Sequence, residues 1–267
     1  MAKWRKHPLP LDYPRHPERR TALVLGASSG IGRATAVALA EAGHPVAVGA
    51  RRVDRLDEVV AHIREAGGEA EAFAVDVTDE KSIASAVTDV EAALGEVEVV
   101  VNSAGSLRMG RIWEMTPENF SAQVDVHLLA AHRVVAAVVP GMVARGRGDV
   151  VLIGSDTSRT ARPRSGAYPA AKSAVDTMAF QLQSELEGTG VRATVVRPGP
   201  VATEMGTDFD EDTIVDVIND WVRFGHGRHG RMCTPAQLAH GVVAAVSLSR
   251  GAYVRELEIQ PEAPIEP

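Results

Sequence analysis

Tyr168 and Lys172 stand four residues apart in Ser165-Gly166-Ala167-Tyr168-Pro169-Ala170-Ala171-Lys172-Ser173-Ala174. On a helix that spacing puts both side chains on one face. A free phenol has a pKa of about 10, too high for ready proton exchange at neutrality. A fixed ammonium beside it favours the phenolate and lowers that value, which is the kind of shift general acid–base chemistry needs. Taken alone, the pair reads equally as a packed tyrosine beside a surface lysine.

The surroundings favour chemistry. Upstream, the apolar run Val150-Val151-Leu152-Ile153-Gly154 ends in Ser155. Such a run reads as a buried strand, delivering a hydroxyl to the sheet edge where open α/β proteins hold ligands. Near the N-terminus, Leu23-Val24-Leu25-Gly26-Ala27-Ser28-Ser29-Gly30-Ile31-Gly32-Arg33-Ala34 passes from strand through a glycine turn into helix. Glycines there let backbone amides approach a pyrophosphate at the helix N-terminus. The spacing is Gly-x-x-x-Gly-x-Gly rather than the commoner Gly-x-Gly-x-x-Gly.

With Asp76-Val77, Asn102-Ser103-Ala104-Gly105 and Pro198-Gly199-Pro200-Val201-Ala202-Thr203 in the same order, these residues resemble the short-chain dehydrogenase/reductase family, in its shorter type. The resemblance runs from about Arg20 to the C-terminus. It implies reversible hydride transfer between a nicotinamide and a carbonyl or secondary alcohol. Tyr168 would be the acid/base, Ser155 would orient the substrate oxygen, and Lys172 would lower the phenol pKa and hold ribose hydroxyls. It also implies that Asp76 accepts from the adenine amino group, with Val77 adding a backbone contact. Asn102 braces the central strand, while Ala104 and Gly105 lie against ribose and nicotinamide. Pro198, Gly199 and Val201 contact the nicotinamide, and Thr203 binds its carboxamide. Read without the family, Asp76 is an Asx turn and Pro-Gly-Pro a rigid turn.

Two positions depart from the family pattern. Ser103 stands where a second Asn is usual, a mild change. His127, in Val124-Asp125-Val126-His127-Leu128, stands where many members carry an Asn that helps hold a water linking the lysine to solvent. Three readings are open: His127 supports the same water, since imidazole both donates and accepts; it is a packed residue; or the relay is impaired.

The end of the second strand chooses the dinucleotide. An acidic residue there binds the ribose 2'-hydroxyl of NAD. Here the stretch is Val48-Gly49-Ala50-Arg51-Arg52. A guanidinium grips a 2'-phosphate with a forked, charge-assisted contact. NADP(H) is therefore expected through Arg51, with NAD(H) possible; Arg52 either assists or is solvated.

These residues need a scaffold. Strands are predicted at Thr21–Leu25, Pro45–Gly49, Ala70–Val75, Val97–Val101, Asp149–Ile153, Arg192–Val196 and Tyr253–Ile259. Helices are predicted at Gly30–Ala42, Val53–Ala66, Glu80–Leu94, Pro117–Arg145, Gly166–Glu187, Asp212–Val222 and Pro235–Leu248. The alternation predicts an α/β fold: a single doubly wound Rossmann-type domain, with a seven-stranded parallel sheet and helices on both faces. Residues 1–20, with four prolines and six Lys or Arg, read as a basic arm ahead of the domain at 21–267. Residues of about 204–232 are expected to cover the substrate, through Trp221, Val222, Phe224 and Met232 or through a short packed helix.

The 267 residues carry a net charge of -7 and 45% hydrophobic residues, ordinary for a globular domain and without a reason to bind nucleic acid. Only four of the 28 basic residues are Lys. Lys172 is thus a distinctive choice, because ammonium pKa is tunable and guanidinium pKa is not. Cys233 is the sole cysteine, so no internal disulfide forms, consistent with a cytoplasmic location; a structural role is expected for it. No apolar run approaches a membrane span, no secretory signal is present, and His226 and His229 lack the partners of a metal site. The two longest helices are apolar on more than one face, and in the resembled family they pack against a second subunit, so a homodimer or homotetramer is expected. Arg108, Arg159, Arg162 and Arg164 could meet an acidic substrate or could be solvated. A cofactor-binding protein without catalysis is the competing class, and the intact Ser155, Tyr168 and Lys172 argue against it.

Overall fold

A computed structural model describes residues 16, 19–206, 209–227 and 229–265. The proposed N-terminal arm lies almost wholly outside the described residues. Seven strands form one parallel sheet in the order β3-β2-β1-β4-β5-β6-β7. They are β1 Thr21–Leu25, β2 Val46–Ala50, β3 Ala70–Ala74, β4 Val97–Asn102, β5 Gly148–Ile153, β6 Val191–Pro198 and β7 Glu256–Ile259. The helices are α1 Gly30–Glu41, α2 Val53–Glu65, α3 Glu80–Leu94, α4 Pro117–Val124, α5 Ala130–Arg145, α6 Tyr168–Glu185, α7 Glu211–Arg223 and α8 Pro235–Val246.

Alternation along the strands builds two cores. Ala22 and Val24 of β1 pack with Leu39 of α1, Leu56 and Ile63 of α2, and Val242 of α8. Leu23 and Leu25 face the other way, among Ile83 and Val90 of α3, Val134 and Val138 of α5, and Val175 of α6. Successive residues of a strand point to opposite faces, so the near-continuous Val/Leu/Ala strands serve both layers at once. Each fully buried Val or Leu contributes about 2 kcal/mol of transfer free energy.

The two strand edges differ in chemistry. At the N-terminal edge, Arg192 donates to both oxygens of Asp149, at 2.6 and 3.0 Å, and Arg20 also pairs with Asp149. Asp149 thus pairs with both buried guanidinium groups, and Glu98 lies 3.7 Å from Arg20 Nε. At the C-terminal edge the order reverses: β1 leads to β2 on one side, and β4 lies on the other. This is the switch point at which open α/β sheets leave a ligand crevice.

Three expectations need correction. The helix expected over Pro117–Arg145 is interrupted by a π-helical segment at Asp125–Leu129. An extra residue per turn leaves no signal in apolar periodicity, and π segments of this kind recur at functional sites. The last strand is shorter than expected, because only Glu256–Ile259 pair with β6. Finally, the run Pro117–Arg145 is long and apolar enough, by length and composition, to cross a membrane. Its Ala130, Ala131, Val134, Val138 and Met142 belong to the core beneath the sheet.

Candidate active site

The switch-point cleft is lined by the glycine turn, the ends of β2 to β6, and the start of α6. Gly26 has φ +78, and a Cβ there would lie 2.7 Å from the backbone nitrogen of Ala104. Only glycine tolerates both that backbone region and that approach. The chain then turns through Ser28 and Ser29 into α1. Ser29 makes no side-chain cap, whereas Asp79, Asp210 and Thr234 cap α3, α7 and α8. Gly30 and Ile31 line the cleft at the start of α1, where the first amides, through that of Gly32, have no side-chain acceptor from the N-cap, and such amides favour an anion.

Arg51 lines the cleft at the end of β2. Arg52 reaches further into the turn, donating to Ser28 Oγ at 2.9 Å and Ser29 Oγ at 3.0 Å. Sequence reasoning put the weight on Arg51; the fold gives Arg52 the contacts with the turn, because it N-caps α2 directly across from α1. Asp76 forms the expected Asx turn, accepting from Thr78 N at 2.9 Å and Thr78 Oγ1 at 2.7 Å. These bonds hold its carboxyl below the usual carboxylate range, so it stays an acceptor at the cleft wall beside Val77. Asn102 is buried at the end of β4, and its Oδ1 accepts from Ala104 N at 3.3 Å. Pro198, Gly199, Val201 and Thr203 line the opposite wall with Ala104 and Gly105.

Ser155, Tyr168 and Lys172 come together at the inner end. The Ser155 hydroxyl accepts from Thr157 N at 3.2 Å and Thr157 Oγ1 at 2.9 Å. Both acceptor positions are thereby engaged, and its own proton points to Asp156 Oδ1 at 3.5 Å. Lys172 is buried, donates to the Ile153 carbonyl at 2.6 Å, and lies 5.6 Å from the centre of the Tyr168 ring. Burial pulls its pKa down to about 8, while Asp176 one turn along the helix raises it. The Tyr168 phenol is pushed up to about 12, chiefly by burial, with Asp156 adding and the Ser155 hydroxyl opposing. That is opposite in sign to the effect expected of the ammonium: desolvation of the phenolate dominates, and the cation that opposes it is the Arg162 guanidinium.

His127 packs its ring edge-on to Tyr168, at 5.0 Å and 85° between planes. The π segment turns it inward, and it is 2% exposed. A Cβ on Gly105 would fall 2.5 Å from its Cε1, so the imidazole occupies space that only glycine leaves. Nε2 lies 2.7 Å from the Ser106 carbonyl. A carbonyl only accepts, so Nε2 carries the proton and Nδ1 is an acceptor; Nδ1 is buried with no hydrogen-bond partner. Burial, with repulsion from Lys172, lowers the ring's pKa to about 3. His127 is therefore neutral at physiological pH and brings no titration there.

This has a consequence for stability. The unfolded imidazole takes up its proton near pH 6.5 and the folded one near 3, so stability is lost as pH falls through that window. Between pH 7.5 and 5 the ring should remove about 2 kcal/mol. Urea unfolding of His127→Asn at both pH values should show a correspondingly smaller loss; an equal loss would mean the ring protonates in the folded state.

The partners of several residues around the cleft carry no sequence signal. Arg162 pairs with Asp156 through both nitrogens, and Gln260 donates to the same carboxylate at 3.2 Å. Arg162 also stacks on Trp221 at 5.3 Å, and Trp221 Nε1 donates to the Pro163 carbonyl at 2.8 Å. Of the four side chains expected to form a lid, only Trp221 lines the cleft; Val222, Phe224 and Met232 are exposed. Leu107, Met109 and Met205 supply the remaining apolar wall. Arg159 pairs with Glu256, and Arg164 with Asp216 and Asp220, so the arginines near the cleft are largely neutralised. Cys233 is buried, its thiol pushed up by desolvation, and its backbone pins Pro200 and Ala202, as expected of a structural residue. His226 and His229 lie in the loop after α7, and no cluster of three metal-ligating side chains occurs among the described residues.

A family model described as short chain dehydrogenase matches residues 20–214. The chain belongs to the short-chain dehydrogenase family. An alcohol dehydrogenase from the archaeon Thermococcus sibiricus, solved with 5-hydroxy-NADP, is similar over 91% of this chain and 96% of its own, with a TM-score of 0.78 and 30% identity. The glycine betaine reductase ATRR of Emericella nidulans is 33% identical over 91% of this chain. The 3-oxoacyl-[acyl-carrier-protein] reductase FabG of Thermotoga maritima is 29% identical over 89% of this chain and 94% of its own. This chain spans 19% of the betaine reductase and 62% of a short chain dehydrogenase of Pseudocercospora fijiensis that is 39% identical to it. The relatives matched are named as a dehydrogenase and as reductases.

Proposed function

We propose that the protein is an NADP(H)-dependent oxidoreductase acting on a carbonyl or secondary alcohol, with Tyr168 as the general acid/base. The observation that carries this reading is a single cleft with Ser155, Tyr168 and Lys172 at one end and Arg52 on the Ser28–Ser29 turn at the other.

The cleft fits a dinucleotide. The amides of Gly30, Ile31 and Gly32 would hold the pyrophosphate, Asp76 and Val77 the adenine, and Arg51 and Arg52 the 2'-phosphate. Lys172 would hold ribose hydroxyls, and Pro198, Gly199, Val201 and Thr203 the nicotinamide. When bound, the cofactor supplies or accepts the hydride, and its oxidised ring adds positive charge near the phenol. The chain's residues handle the oxygen. A phenol raised to about 12 is fully protonated at neutral pH, the form that donates to a developing alkoxide. The Ser155 proton, held only by the long contact to Asp156, would turn to the same oxygen and orient it. The ammonium of Lys172 stabilises the phenolate left behind. His127 Nδ1, an acceptor beside Tyr168, supports the reading in which it holds the water that the family's Asn would hold. The apolar wall and the self-neutralised Asp156–Arg162 pair favour an uncharged substrate over a carboxylate. Leu129 and Val143, exposed along the long helical run before β5, support contact with a second copy of the chain.

Arg51→Ala/Arg52→Ala should raise the NADPH KM by about tenfold or more while leaving NADH within about twofold, because a forked contact to phosphate is lost. Steady-state kinetics with both cofactors checks this. Equal efficiency of wild type with the two cofactors contradicts the proposed preference.

A further inference from the structure

Arg52, one of the two cations proposed to take the 2'-phosphate, already shares a carboxylate with its neighbour Arg55. Glu204 follows Thr203 of the cleft wall and reaches across the mouth of the cleft to α2. Arg55 donates to both of its oxygens, at 2.7 and 2.6 Å, and Arg52 lies at 3.4 Å. The same Arg52 guanidinium donates through its other nitrogen to Ser28 and Ser29. One guanidinium thus bridges the glycine turn and an anion on the opposite wall.

We propose that Glu204 is a specificity-determining residue: it competes with the cofactor's 2'-phosphate for Arg52 and Arg55, and so weakens NADP(H) binding without affecting NAD(H). This rests on the proposed placement of the 2'-phosphate at Arg51 and Arg52. The physical argument is local charge. A doubly charged phosphate seated on Arg52 lies within a few ångström of the Glu204 carboxylate, and like charges at that range repel. Glu204 also spends the Arg55 charge that would otherwise attract the phosphate. Arg52 and Glu204 are 46% and 56% exposed, so solvent and salt moderate the effect. The carboxyl is held below its ordinary range, first by the Arg55 hydrogen bonds, so it carries its charge at neutral pH. NAD has a hydroxyl at the same place and meets no such repulsion.

The test is binding of NADPH, NADH, 2',5'-ADP and 5'-AMP to the full chain by titration calorimetry at low salt, for wild type and Glu204→Gln. The amide keeps the shape and removes the charge. The expected result is a threefold to tenfold tighter Kd for NADPH and 2',5'-ADP, roughly the size of one screened charge, with NADH and 5'-AMP unchanged. Unchanged or weaker binding of the two 2'-phosphate ligands would overturn the proposal, since Glu204 would then be a plain surface ion pair or an organiser of Arg52. The wild-type NADPH-to-NADH ratio is read separately. A ratio near one with tighter NADPH binding in the variant would sink the NADP preference while supporting the role of Glu204. Weaker 2',5'-ADP binding in Glu204→Gln than in wild type, with a preserved NADPH preference, would do the reverse.

Discussion

Tyr168→Phe should lower kcat by about a thousandfold, the scale of losing a positioned general acid, while cofactor affinity stays within about threefold. The variant removes one oxygen from a ring whose packing is set by His127 on its edge and Lys172 beyond its face, so the fold is not at risk. The substrate oxygen would keep the Ser155 hydroxyl but lose its proton source. Because the loss falls on a group used at the transition state, kcat and kcat/KM should fall together. Stopped-flow nicotinamide absorbance with wild type and variant at saturating cofactor checks this. A variant with most of its turnover would remove Tyr168 from the chemistry.

Lys172→Met should cost about a hundredfold in kcat, since the ammonium that stabilises the phenolate is lost from a buried site where its field is weakly screened. The wild-type rate should fall as pH rises through about 8, where the buried ammonium gives up its proton. The Met variant should lack that limb. Stability should move the other way. The folded ammonium titrates at about 8 against 10.5 in the unfolded chain, so below pH 8 its burial opposes folding, and the penalty fades only as pH climbs between those values. Met removes it, and urea unfolding at pH 7 should show a gain of about 1–3 kcal/mol. A variant that is slower and also less stable would mean Lys172 is mainly a structural link to Ile153.

The sheet was legible because its strands are uniform Val/Leu/Ala runs whose only plausible burial is two-sided; β1 and α3 match their expected limits residue for residue. The reactive trio was legible because Tyr168 and Lys172 share one helix face and Ser155 ends a strand. Residues whose partners are distant in sequence were not. Nothing in the chain announces that Arg162 meets Asp156 and Trp221, that Thr157 folds back on Ser155, or that Glu204 crosses to α2. The π segment around His127 also escaped, because one inserted residue keeps the composition of a helix while rotating every side chain after it. The sign of the Tyr168 shift was missed for a related reason: spacing places a cation near the phenol, but only the fold tells how much water is removed from both.

The most direct test of the account is the structure of the protein with NADP(H) bound. The account predicts the nicotinamide lying between Thr203 and Tyr168, and a carbonyl oxygen placed over its C4 falling within about 3 Å of both the Tyr168 and Ser155 hydroxyls. It also predicts Lys172 on the adjoining ribose and the 2'-phosphate against Arg52. A dinucleotide bound elsewhere, or bound here with its nicotinamide pointing away from Tyr168, would contradict it.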